Sequence, residues 1–101
     1  MNSDIAWGIV KKYTNVNDLS EEDAILYEEA LVHLFQEGAG LYEASDDFYL
    51  FRGDAQAGAF NLAFYYEKIG KYDLAIKYYS LSVKYGCDFA QERIDRLKDK
   101  L

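Results

Sequence analysis

At 101 residues the chain has room for one modest core, and with half of its residues apolar and 17% aromatic it can bury enough surface to fold. A net charge of −7 repels phosphate backbones and argues against nucleic-acid binding, while a single cysteine excludes an internal disulfide and predicts a reducing, cytoplasmic setting. The opening MNSDIAWGIVKK has no leading basic segment and no long apolar run, which predicts neither a signal peptide nor contact with a membrane.

With no proline to interrupt them, long helices are expected throughout. Ser3 is placed to cap a first helix carrying Ile5, Ala6, Trp7, Ile9 and Val10, and the polar TNVND at 14–18 breaks it. Leu19 as a hydrophobic staple, Ser20 as N-cap and Glu21, Glu22 and Asp23 in the first turn announce a second helix. Its apolar stripe is Ala24, Leu26, Tyr27, Ala30, Leu31, Leu34 and Phe35, and Gly38 and Gly40 end it. Residues 41–53 admit two readings. Ser45 with Asp46 and Asp47 can cap a short helix through Phe48, Leu50 and Phe51, or the same residues can form an aromatic loop pinned on the core. From Asp54, read as a cap, one helix runs to 69 and stops at Gly70, and a second over 72–85 stops at Gly86. A last helix from 88 is expected to seal the core with Phe89, Ala90, Ile94 and Leu97, leaving Arg93, Arg96, Lys98 and Lys100 in water.

The short Gly70-Lys71 break forces the two central helices to pack antiparallel, with Ala63 and Ala75 thinning their line of approach. Asn61-Leu62-Ala63, Tyr66, Gly70, Tyr72-x-x-Ala75 and Tyr85-Gly86 together resemble the tetratricopeptide repeat and, more closely, its Sel-like relative. Gly53-x-x-x-Ala57 recurs 33 residues later as Gly86-x-x-x-Ala90, and Tyr27-Glu28-Glu29-Ala30 is similar to Tyr72-Asp73-Leu74-Ala75. The chain departs from that pattern before residue 20, in the long 38–53 connection, and at Cys87, where tetratricopeptides often hold proline. The resemblance implies an all-α fold: one domain over 1–101 built as a short antiparallel helix-turn-helix stack, a right-handed α-α superhelix. Residues 20–40 would form a degenerate repeat, 54–86 a clear one and 88–101 a capping helix.

Such families bind peptides or proteins in a groove lined by the first helix of each pair. By position that groove comprises Ala57, Phe60, Asn61, Phe64 and Lys68. Phe60 and Phe64 stand one turn apart as aromatic anchors would, unless residues 41–53 cover them as core. Asn61 has two readings, donating to a bound backbone or bonding a neighbouring helix carbonyl. Lys68 is the lone base on this face, too few for gripping a terminal carboxylate.

Chemistry is not signalled. His33 lies mid-helix without HxxxH or CxxC company and Cys87 without a second thiol, so both read as structural residues, with no metal and no cofactor. Glu28/Glu29 diverge by about 100° on a helix and do not converge on a substrate. Asp46/Asp47 read as caps, and Gly38-Ala39-Gly40 lacks the Lys and Ser/Thr of a phosphate loop. An enzyme is not indicated.

Charge is uneven, with twelve acids against three bases in residues 1–56 and six against eight in 57–101. Asp18, Glu21, Glu22, Glu28, Glu29, Asp46 and Asp47 would make an acidic face, either a plain solubilising surface or an attractant for a basic protein, and together with Asp23 they are the acids that would stand in for phosphates in a mimic. The leading expectation is a non-enzymatic protein-protein interaction module. In its most concrete form it is a small acidic inhibitor, such as the immunity protein of a basic bacterial toxin. Two other readings stay open: a homodimer built through surplus aromatic surface, and an acidic mimic of nucleic acid.

Overall fold

The computed structural model describes residues 2–13, 16, 18–33 and 47–101, and among these residues there are five helices and no strand. The chain is all-α. Helix α1 spans Ser3–Tyr13 and α2 Glu21–His33, while α3 spans Asp47–Lys68, α4 Tyr72–Lys84 and α5 Ala90–Lys98. No helix among the described residues is long and apolar enough to cross a membrane.

Ser3 is the first residue of α1 and not its cap. Asn2 caps it, its Oδ1 accepting from the Ile5 amide at 2.9 Å. Ser20 caps α2 as its sequence position predicts, its Oγ accepting from the Asp23 amide at 3.2 Å beside a buried Leu19. Ala24, Tyr27, Ala30 and Leu31 form the buried stripe of α2, whereas Leu26 turns outward. Leu34, Phe35, Gly38 and Gly40 lie outside the described residues.

Helix α3 corrects the boundary expected at Asp54. It begins at Asp47 and passes without interruption through Gly53 and Asp54. A Cβ built on Gly53 would meet nothing within 4 Å, so this glycine costs the helix only propensity and does not stop it. Residues 47–53 therefore continue the axis on which Phe60 and Phe64 lie, and cannot fold back over those rings.

Helices α3 and α4 form the antiparallel hairpin. Tyr66 stacks on Tyr78 (5.8 Å between centroids, 16°), Phe60 meets Tyr79 edge-on at 5.2 Å, and Ser82 Oγ donates to the Gln56 carbonyl at 2.9 Å, so the register falls on one helix as it rises on the other. Both hairpin helices end in the same motif. Lys71 N–H reaches the Tyr66 carbonyl (2.9 Å) and Gly70 N–H that of Glu67 (3.2 Å); Cys87 N–H reaches Ser82 and Gly86 N–H reaches Val83, each at 3.0 Å. This six-to-one, five-to-two pairing needs a left-handed residue, and Gly70 (φ 82°) and Gly86 (φ 112°) supply it.

One core runs through all five helices, from Ala6 and Val10 of α1 to Ala90, Ile94 and Leu97 of α5. At its centre the buried Tyr27 lies against Gly58, where a Cβ would sit 1.7 Å from the Tyr27 hydroxyl. Helix α5 differs from expectation at two residues. Phe89 precedes the helix and is 66% exposed, although its ring meets Phe60 edge-on at 5.3 Å, and Arg93 turns inward.

Candidate protein-binding site

The five groove residues share one face of α3, but they do not line an open channel. Asn61 is buried, Ala57, Phe60 and Phe64 are half-buried, and Lys68 alone is exposed. Lys68 Nζ pairs with Asp18, just before α2, while lying 5.2 Å from the centre of the Phe64 ring. Besides the rings of Tyr79 and Phe89 against Phe60, α5 adds cover. The Arg93 guanidinium sits 5.0 Å from the Phe60 centroid, 5.7 Å from Phe64 and 5.9 Å from Tyr79. Arg93 Nη1 donates to Tyr79 Oη at 3.4 Å and lies 3.9 Å from Glu67 Oε1.

Tyr79 itself donates to Glu67 at 3.0 Å. Burial and the Glu67 charge push its phenol up to about 12, against the opposing pull of Arg93. Beside this cluster, Glu67, Arg93, Arg96, Leu97 and Lys100 line a shallow cleft of about 70 Å³. Nothing in the sequence pattern marks Arg93. A basic residue on a short amphipathic helix is ordinarily solvated, and only the packing of α5 across the hairpin brings Arg93 over the rings.

The acidic face divides at α2. Each neighbouring pair of acids is split by the 100° helical step. Asp23 turns toward α1 and accepts from Tyr13 Oη at 2.8 Å, a bond that with burial raises the tyrosine's pKa. Glu28 turns toward the hairpin, accepting from Tyr66 Oη at 2.5 Å and reaching Tyr78 as well. Burial, then Glu28, raises both of those phenols. Glu28 is thus a tie between helices and leaves the acidic face. Glu21, Glu22 and Glu29 point to water. Ile25 and Val32, seven residues apart, form an apolar ridge 53% and 38% exposed, and Glu22 and Glu29, also seven apart, run alongside it. Asp18 is exposed but committed to Lys68. Asp46 lies outside the described residues, and Asp47 opens α3.

His33 is half-buried in the last turn of α2, and the Cys87 thiol is buried beyond α4. Among the described residues no three His, Cys, Asp or Glu side chains are grouped to hold a metal ion. Comparison with family models, curated proteins and solved structures finds no match to the chain. The described residues thus present an exposed acidic and apolar ridge on α2 and an aromatic, carboxylate-bearing cluster on the hairpin.

Proposed function

We propose that the chain is a non-enzymatic protein-binding module for a basic partner, built as a short helical-repeat stack of the tetratricopeptide or Sel-like kind. The observation that carries this reading is the outward face of α2, where Glu22 and Glu29 flank the exposed Ile25 and Val32. Apolar side chains at one heptad spacing beside carboxylates at the same spacing fit an element that presents apolar residues edged with Lys or Arg. The charge steers encounter, and the apolar ridge, once covered by the partner, slows release. The two equivalent glycine-ended helices of the hairpin support the repeat assignment. An acidic inhibitor that covers the positive working surface of a toxin is the most concrete form of this function.

The test is retention of proteins from the native source on the wild type and on Glu22→Lys/Glu29→Lys, at low and high salt. A basic protein held by the wild type is expected to bind more weakly at high salt, and to lose about tenfold in affinity with the double reversal at low salt, a difference that shrinks as salt is raised. A partner held equally by both proteins removes α2 as the surface. Retention of the chain's own copy alone replaces the reading with a homodimer.

A further inference from the structure

Arg93 occupies a cage. Three rings, a phenol oxygen and a carboxylate surround its planar cation: Phe60, Phe64 and Glu67 from α3, and Tyr79 from α4. Aromatic faces with an acceptor at the edge are what a guanidinium group is recognised by, since it stacks as a plane and donates within that plane. The walls do not depend on their occupant. They belong to the α3–α4 hairpin, which the Tyr66–Tyr78 stack, the Ser82–Gln56 bond and the Tyr79–Glu67 bond hold together. Helix α5 is anchored by other residues, the buried Ala90, Ile94 and Leu97. The Arg93 side chain is 30% exposed and its ion pair with Glu67 is long at 3.9 Å, so it can swing out while α5 stays seated.

We propose that the cage formed by Phe60, Phe64, Tyr79 and Glu67 is a guanidinium-binding site, filled in the free chain by Arg93, and that an arginine side chain of a protein partner takes the same place by displacing it. The partner rests on the function proposed above; the cage does not, and can be tested alone. Self-occupation explains why the two anchors expected from the sequence are half-buried, and it makes the site weak until the internal arginine is removed, because a site open only a fraction of the time binds weaker by that fraction.

The probe is Nα-acetyl-arginine amide, with Nα-acetyl-lysine amide as control, titrated into the full chain and followed by NMR of the aromatic ring protons. Arg93→Ala is expected to bind the arginine probe at least about tenfold tighter than the wild type and to prefer it over lysine. Adding Glu67→Gln to that variant should weaken binding again. Arg93→Gln keeps part of the aliphatic stem without the guanidinium and gives the same comparison should the alanine variant lose its fold. Equal affinity in the wild type and a folded Arg93 variant, or equal affinity for both probes, overturns the cage. Either result leaves the charge-reversal test on α2 untouched, so the two readings fail separately.

Discussion

The α1–α2 pair and the α3–α4 hairpin both close through tyrosines, yet they are held by different means. The hairpin's ties are internal: a three-residue turn fixed by Gly70, a stacked Tyr66–Tyr78 pair, and a serine hydroxyl on a facing backbone carbonyl. The first pair is joined edge-on through Tyr13 and Tyr27 (6.2 Å, 89°) and by Tyr13 on Asp23. Helix α2 then leans on the hairpin, through Tyr27 against Gly58, Glu28 under Tyr66, and Asp18 on Lys68. One unit is specified by local turn chemistry and neighbouring contacts, and the other is held in place by a seam between segments distant in sequence.

That contrast is most sharply broken at Gly58. A methyl group there collides with the hydroxyl end of the fully buried Tyr27 ring, so Gly58→Ala is expected to cost roughly 3 kcal/mol. Urea unfolding measures the loss, and hydrogen exchange should show α2 amides opening before those of α3 and α4. Wild-type stability in this variant would mean that Tyr27 does not set the seam.

Glu28 tests the polar side of the same seam. Glu28→Gln removes a charged acceptor from the phenols of two buried tyrosines and is expected to cost about 2 kcal/mol. The tyrosines also set an alkaline limit. Tyr66 and Tyr78 are raised above 10.0, mainly by burial and then by Glu28, and Tyr79 is raised to about 12. The folded chain keeps these protons where the unfolded chain has released them. Their contribution to stability is therefore complete below pH 10 and is lost as pH rises through the folded values. Phenolate absorbance recorded with stability across this range should show a late-titrating group of tyrosines that ionise together with unfolding. In Glu28→Gln the part owed to Tyr66 and Tyr78 should shrink, and an unchanged profile would deny Glu28 its role.

The smallest effects carry the opposite sign. Gly8 in α1 and Gly53 in α3 are exposed, and a Cβ at either would touch nothing within 4 Å. Alanine at each is expected to stabilise by about 0.5–1 kcal/mol, read as a raised melting temperature. Destabilisation by Gly53→Ala would show that this side of α3 is covered.

Much of the architecture is legible in the sequence because it is short-range. A serine before three acids caps α2, and a glycine free to take positive φ ends α3 and again ends α4, each through contacts within a single turn. The same local reasoning misplaced the start of α3. Gly53-Asp54 has the look of a boundary, but no proline enforces one and the helix continues across it. The candidate site was legible only as a face. Ala57, Phe60, Asn61, Phe64 and Lys68 do lie together on α3, by helical periodicity alone.

What covers that face was decided elsewhere. Arg93 lies about thirty residues further along the chain, and its place over Phe60 and Phe64 follows from how α5 crosses the hairpin. The acids of α2 teach the same lesson. Side-chain type makes Asp23 and Glu22, or Glu28 and Glu29, interchangeable neighbours, yet one of each pair meets a tyrosine and the other meets water. Composition and capping determine that the chain is helical and where most helices end, because hydrogen-bonded turns are satisfied locally. Which charges are spent inside the fold and which remain exposed was settled only by tertiary packing, because it depends on what distant segments bring to the other side.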